Sequence, residues 1–413
     1  MTRVATSWLV YRLTGSALLL GIVGFAGQIP TFLLASFAGV WIDRLERRRV
    51  LVWTQALAAG QSLALAALTL SRRITVWEIF VLSALQGLIN AFDMPARQAF
   101  LVQMVDDRKD LGNAIAINSS MVNVARLVGP SLAGLVIAGF GEGYCFLADG
   151  LSYFAVIASL LMMRIHAPTG ERVRASVAKQ LREGWTYVAG FAPVRTILLY
   201  FALTSLMGMP YVVLMPIFAV DVLHGGPHTL GFLMGASGVG ALISAFSLAV
   251  RKTVLGLGKM IPIAGLSFGL GLILFGLSRT LWISMAMMLL VGFGMMQGMA
   301  ASNTVIQTLV TEDKRGRVMS YYTMAFVGMA PFGSLLAGTM ASSIPTTRTL
   351  LGRAALLLTG AQWTVIINGV VVVLAALWFL SMLPALRKVV RPIYQEMGII
   401  ASTEEMAAEQ VQS

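Results

Sequence analysis

Apolar runs long enough to cross a bilayer recur along this chain, separated by short turns that carry most of its charge. The runs lie at 18–42, 50–70, 78–97, 113–139, 144–163, 196–220, 230–250, 260–277, 281–309, 318–343 and 363–383, with a half-length run before them at Val4–Tyr11. About 20 consecutive apolar residues match the hydrocarbon thickness. Inside lipid every backbone N–H and C=O must be paired within the protein, which leaves helices or closed barrels. The runs are continuous rather than alternating, so barrels are excluded and the fold class is an all-α polytopic membrane protein. A mean hydropathy of +0.81 with 57% hydrophobic and only 12% charged residues excludes a soluble fold of this length.

The runs group around one polar stretch. This predicts an N-terminal transmembrane half over 1–163, a linker over 164–195, a C-terminal half over 196–383 and a tail over 384–413. Within the linker, Val173, Val177, Leu181 and Trp185 recur at intervals of four between charges, which predicts an amphipathic helix at the membrane surface. Of the 30 Lys and Arg residues, 22 fall on one side of this alternation and six on the other. The positive-inside rule therefore places the linker and the C-terminus in the cytoplasm; a bacterial inner membrane is the expected location. The same rule accounts for the net charge of +12, so no nucleic-acid partner is invoked.

Other function classes drop out on residue grounds. Cys145 is the single cysteine, and reads as a small residue in a helix. His166, His224 and His228 all fall in predicted loops, which argues against a buried histidine relay. Met285, Met287, Met288, Met295, Met296 and Met299 crowd the tenth span without His or Cys beside them. That pattern suits packing or a permissive apolar pocket rather than copper. No Gly-x-x-x-x-Gly-Lys-Ser/Thr motif occurs, so the chain is not itself an ATP-driven pump. No cofactor, metal or enzymatic activity is expected.

The turn Gly39-Val-Trp-Ile-Asp43-Arg44-Leu-Glu-Arg47-Arg48-Arg49 resembles the loop between helices two and three of major facilitator superfamily transporters, with Glu46 where that pattern has Gly. Further stretches are similar to the branch holding the enterobactin exporter and macrolide-efflux-like proteins. They include Trp8-Leu-Val-Tyr-Arg-Leu-Thr-Gly15, Ala91-Phe-Asp-Met-Pro-Ala-Arg-Gln98, Arg126-Leu-Val-Gly-Pro130 and Arg315-Gly-Arg-Val-Met-Ser320. The resemblance implies two six-helix halves built as parallel repeats. Ser131-Leu-Ala-Gly134 and Leu335-Leu-Ala-Gly338 echo each other late in the fifth span of each half. The chain departs from the family at Ser83, where many antiporters carry Arg, and at Ala125 and Ala133, which replace glycines.

Candidate site residues follow. By resemblance, Asp43 faces the N-terminus of the eleventh helix and gates the cytoplasmic side together with Arg44, Arg47 and Arg48. Arg126 lies mid-span, where a charge costs at least about 2.5 kcal/mol, so it is expected to face the cavity and pair there or to tie helices together. Asp149 is a candidate proton carrier or a polar group near the headgroups. Asp93 and Arg97 are expected to form an i,i+4 pair. Gln28, Asn90, Asn118, Asn123, Gln297, Asn303 and Gln307 divide between cavity lining and helix bridging. Gly129, Pro130 and Gly134 are read as helix-packing residues.

The expected function is a secondary active, proton-coupled exporter of a small amphipathic organic molecule, drug-like or siderophore-like. It would work by alternating access, as a monomer among membrane lipids. An uptake carrier, a lipid flippase, or a non-transporting scaffold on the same fold are the alternatives. The first run supplies only about half a span, so the first helix is read as incomplete and Met1 as an internal methionine of a longer protein.

Overall fold

In the computed structural model, residues 1–42, 45–105, 107, 109–163, 177–251, 253–351 and 354–397 are described. Among them, ten helical stretches are long and apolar enough to cross a membrane. The first half begins with α1 (Thr2–Thr14), followed by α2 (Ala17–Ala26) and α3 (Ile29–Ile42), which together form one span. It continues through α4 (Arg47–Leu70), α5 (Val76–Gln103), α6 (Leu111–Phe140) and α7 (Glu142–Met162). The linker helix α8 covers Val177–Gly190, shorter than the expected amphipathic stretch, whose residues 171–176 lie outside the described residues. The second half runs α9 (Ala192–Gly208), α10 (Tyr211–Ile217), α11 (Pro227–Ala249), α12 (Leu257–Leu277) and α13 (Leu281–Leu309), then α14 (Glu312–Phe326), α15 (Ala330–Ser343) and α16 (Gly360–Glu396).

Three spans are broken near mid-membrane, and each break has a proline behind it. Pro30, Pro210 and Pro331 lack the N–H that would continue the ladder from Ala26, Leu206 and Val327. The chain therefore restarts as α3, α10 and α15. At the third break Ala330 N turns back to the Val327 carbonyl, and the Phe326 carbonyl it leaves accepts from the hydroxyl of Ser205 on α9. Pro216 has a related effect inside α10, which passes into a π-helical turn over Phe218–Val222.

One element was not foreseen. Strands β1 (Thr347–Leu351) and β2 (Ala354–Leu358) pair antiparallel between α15 and α16, in a stretch read from sequence as a loop. Its position beyond the bilayer explains the miss, because no apolar requirement marks it. A second correction concerns His228, which lies in the first turn of α11 rather than in a loop.

The core is arranged unevenly along the membrane normal. At the end away from the Arg47–Arg49 turn, one apolar cluster joins both halves, including Leu9, Leu20, Phe146, Phe218, Leu230, Phe275 and Val365. At the basic end the core is split. One cluster (Ala38, Ile42, Leu51, Ala96, Phe100, Leu160) belongs to the first half alone. The other (including Val194, Ile306, Val318, Phe379, Leu383) belongs to the linker helix and second half. The halves thus share a core at one end and pack separately at the other.

Within the first half, two of the arginines expected to gate also bond to helix ends. Arg48 donates from Nε to the Leu160 carbonyl at 2.7 Å and from Nη2 to the Leu161 carbonyl at 2.5 Å. Arg47 donates to the Ala99 carbonyl at 3.4 Å. Leu160 and Leu161 lie in the last turn of α7, where no intrahelical donor remains, and Ala99 lies about one turn before the end of α5. At both ends the helix dipole favours a cation. Asp43 and Arg44 lie outside the described residues. Arg48→Ala is therefore expected to lower stability by about 1 kcal/mol, read as a lower melting temperature in detergent. Arg49→Ala, which removes only an exposed pair with Glu46, should leave it unchanged.

Candidate functional site: a two-walled central cavity

Between the halves, near the helix breaks, lies a cavity with two adjoining lobes of about 360 and 530 Å³. The lobes share Thr2, Arg3, Val4, Gln86, Asn90, Val212 and Met234. Gln28, Met209 and Ala330, which flank the three breaks, line the first lobe. The breaks therefore sit where irregular backbone faces a cavity rather than lipid.

The two walls differ in chemistry. The first half contributes most of the amides and hydroxyls, Thr2, Thr6, Ser7, Gln28, Gln61, Ser83, Gln86 and Asn90, beside the aliphatics Val4, Val10, Leu20 and Val23. The second half contributes mainly thioethers and aliphatics, among them Met209, Val212, Val213, Met215, Met234, Met288, Met295 and Met296, with Tyr211, Ser237 and Ser334 as polar points. The methionine run of the tenth span thus divides: Met288 and Met295 belong to or pack on the shared core and also line the cavity with Met296, whereas Met285 and Met287 pack only on the shared core and Met299 on the basic-end cluster.

Asp149 is the carboxylate among the described lining residues. Its Oδ2 accepts from Thr2 Oγ1 at 2.5 Å and from Ser62 Oγ at 3.1 Å, while Tyr153 lies one turn further along the same face of α7. The sequence left Asp149 between a headgroup position and a cavity position, and the structure puts it in the cavity wall. Arg3, on the first turn of α1, lines both lobes. It directly precedes the half-length run Val4–Tyr11, which gave no reason to place it centrally.

Other predicted residues go elsewhere. Asp93 is 8% exposed and fully engaged: Oδ1 accepts from Thr54 at 2.9 Å and Gln55 at 2.6 Å, and Oδ2 pairs with Arg97 Nη2 at 2.9 Å. The expected i,i+4 pair is present within α5, and the bonds from Thr54 and Gln55 to Asp93 tie α4 to α5 outside the cavity lining. Gln297 is buried between α11 and α13, where Oε1 accepts from Ser244 at 2.6 Å and Ser247 at 3.2 Å. It bridges helices rather than lining the cavity. Gln28 does both, lining the first lobe while donating to Ser334 of the other half at 3.3 Å. Gly129 and Pro130 line the second lobe. Asn123 and Arg126 lie on α6, with side chains outside the described residues.

Away from the basic end, the cavity is closed by two related helix pairs. At Gly134 on α6, a Cβ would sit 2.7 Å from the Pro227 carbonyl and 2.8 Å from Gly231 Cα on α11. At Gly338 on α15, it would sit 2.8 Å from the Ala17 carbonyl and 2.8 Å from Gly21 Cα on α2. The two glycines that echo each other in sequence thus make equivalent contacts between halves. At Gly129, one and a half turns towards the basic end of α6, a Cβ would meet nothing within 4 Å. The closure is supplemented by Tyr11 Oη, which donates to Asp221 Oδ2 of the other half at 2.5 Å, and within the first half Arg12 pairs with Glu142 at 2.8 Å. Asp221 and Glu142 were missed because they lie just outside the apolar runs.

Tyr11→Phe removes the cross-half hydrogen bond while keeping the ring. It is expected to increase labelling, from the non-basic side, of a cysteine placed by Leu20→Cys in a Cys145→Ser background. Unchanged labelling would assign the bond no part in closure.

Comparison with known proteins agrees with this architecture. Residues 1–377 match the family described as transmembrane secretion effector. A Staphyloferrin A transporter of Staphylococcus aureus is 27% identical over 361 residues, covering 84% of this chain and 87% of that protein. The multidrug efflux pump Tap of Mycolicibacterium fortuitum is 27% identical over 351 residues, covering 83% and 85%. Macrolide efflux protein A of Streptococcus pyogenes is 23% identical over 268 residues, covering 61% and 65%. Among solved structures, the nucleoside transporter NupG superposes with a TM-score of 0.69 at 14% identity, covering 92% of this chain and 95% of that one. A bacterial homologue of the lysosomal transporter Spinster, in an inward-facing and unoccupied conformation, superposes with a TM-score of 0.67 at 15% identity, covering 92% of each. These likenesses establish the fold.

Proposed function

This chain belongs to the transmembrane secretion effector family of the major facilitator superfamily, and on that premise we propose that it exports a small amphipathic organic molecule in exchange for protons. The two-walled cavity carries the reading. Amides and hydroxyls on one side can hydrogen-bond a polar face, and flexible thioethers on the other can mould to an apolar one. A carboxylate in that wall can hold either a proton or a cationic group of the substrate, so loading of one displaces the other. Relatives named as a multidrug efflux pump, a macrolide efflux protein and a siderophore transporter support export of such molecules.

Alternating access supplies the cycle. The split core at the basic end and the shared core at the other correspond to a state in which the cavity communicates with the basic side. The positive-inside rule assigns that side to the cytoplasm. Rocking of the halves 1–163 and 196–383 about the cavity would separate the glycine contacts and bring the basic ends together. Proteoliposomes or cells expressing the chain, tested with a panel of cationic dyes, macrolides and siderophores, provide the test. Export that collapses on addition of a proton uncoupler is the expected result. Net accumulation would favour the uptake alternative, movement of labelled phospholipid alone would favour a flippase, and no movement of any of these would favour a scaffold.

A further inference from the structure

The linker helix α8 lies against α14 and leaves a cleft of about 560 Å³ whose chemistry the transport reading does not use. Lys314, Arg317, Val318 and Tyr321 share one face of α14 at helical spacing. Arg317 Nη1 pairs with Glu183 at 2.9 Å, Lys314 Nζ stands 4.9 Å from the Tyr187 ring centroid, and Trp185 contacts Tyr321 at 5.9 Å between centroids. The expectation that α8 merely lies on the membrane surface is thereby refined: it is docked on the second half.

These contacts leave charge over. Arg182, Lys314 and Arg317 line the cleft with one carboxylate, Glu183, and the exposed Asp313 carboxylate stands near Lys314 and Arg317. Glu183 is taken by Arg317, Lys314 stands over the Tyr187 ring, and the three cations exceed the two carboxylates by one. We propose that the cleft binds the phosphate of an anionic phospholipid headgroup. A phosphodiester presents one negative charge and two equivalent oxygens to a guanidinium fork and an ammonium. The surroundings select a lipid over a free anion. Trp185 is 60% exposed beside the cleft, and Trp and Tyr at this level of a bilayer mark the headgroup zone, where glycerol and upper acyl carbons lie. Basic pockets between helices at a membrane surface are suited to such headgroups. A bound lipid would brace α8 against α14 and so hold the linker to the second half.

Native mass spectrometry of the purified full chain tests this with phosphatidylglycerol, phosphatidylcholine and inorganic phosphate as probes. The expected result is retention of phosphatidylglycerol over phosphatidylcholine, weakened roughly five-fold by each of Arg182→Ala and Lys314→Ala. Arg391→Ala, an exposed arginine at the same end, should leave it unchanged. Equal retention in all variants, or equal loss in Arg391→Ala, overturns the proposal. Displacement of the lipid by inorganic phosphate at millimolar concentration makes the cleft a free-anion site and also overturns it. Should an alanine variant fail to fold, hydrogen exchange of wild-type residues 177–190 decides the same question in nanodiscs. Protection by phosphatidylglycerol over phosphatidylcholine supports the site, and equal exchange rules it out. None of these readouts uses transport, so this proposal and the export reading fail separately.

Discussion

Asp149→Asn is expected to yield a folded, membrane-inserted protein whose transport no longer responds to a proton gradient. The substitution is nearly isosteric, and the amide oxygen can still accept from Thr2 and Ser62, which both donate to the same carboxylate oxygen. What is lost is the capacity to take up and release a proton within the cavity wall. Coupled export should fall by about ten-fold or more, equivalent to about 1.4 kcal/mol, towards the rate of the wild type with the gradient collapsed. Residual export in the variant should be insensitive to an uncoupler. A wild-type response to the gradient would remove Asp149 as carrier. Asp93 is a weaker successor, because four donor contacts from Thr54, Gln55 and Arg97 already fix it between α4 and α5. Arg126→Ala, on the cation expected from sequence to serve the cavity, should abolish export, and Arg126→Lys should fold but export poorly because an ammonium lacks the guanidinium fork.

The difference between Asp149 and Asp93 shows where sequence reading reaches its limit. Both are acids in or beside apolar runs, and hydropathy treats them alike. Which one meets the cavity depends on the face of each helix that turns inward, and that is settled by packing between halves. The spans themselves were legible because a bilayer demands long apolar runs with paired backbones and leaves basic residues on one side. The division of the cavity into an amide-rich wall and a methionine-rich wall was not, since it arises only when α1, α4 and α5 face α10, α11 and α13. Gln297 illustrates the same point: a polar residue within a span, it is satisfied by two serines on the neighbouring helix of its own half. Tyr11 and Asp221 are 210 residues apart, and no local pattern links them. The echo between Gly134 and Gly338 was legible, although only the structure shows that both are contacts between halves.

That echo leads to the other large effect. Gly134→Val and Gly21→Val should each produce a folded protein that cannot close the end of the cavity away from the basic turns. At both positions the added carbon meets backbone of the other half, 2.7 Å from the Pro227 carbonyl for Gly134 and 2.7 Å from the Ser334 carbonyl for Gly21. Backbone cannot rotate away as a side chain can, so the helices must part. Overpacking of this kind costs about 1–3 kcal/mol. Because the clash exists only while these helices touch, that cost falls on one conformer and shifts the equilibrium by roughly 5–150-fold towards the other. Labelling of Leu20→Cys from the non-basic side, in the Cys145→Ser background, should rise accordingly, while export falls because the cavity is withheld from the basic side. Gly292→Val separates this from a general packing defect. Its Cβ would lie 1.8 Å from the Ser237 carbonyl within the second half, a contact that rocking of the halves cannot relieve. It should therefore reduce the amount of folded protein without raising labelling in what remains. If Gly134→Val instead behaves like Gly292→Val, the α6 to α11 contact is fixed packing, and the point at which the halves separate lies elsewhere.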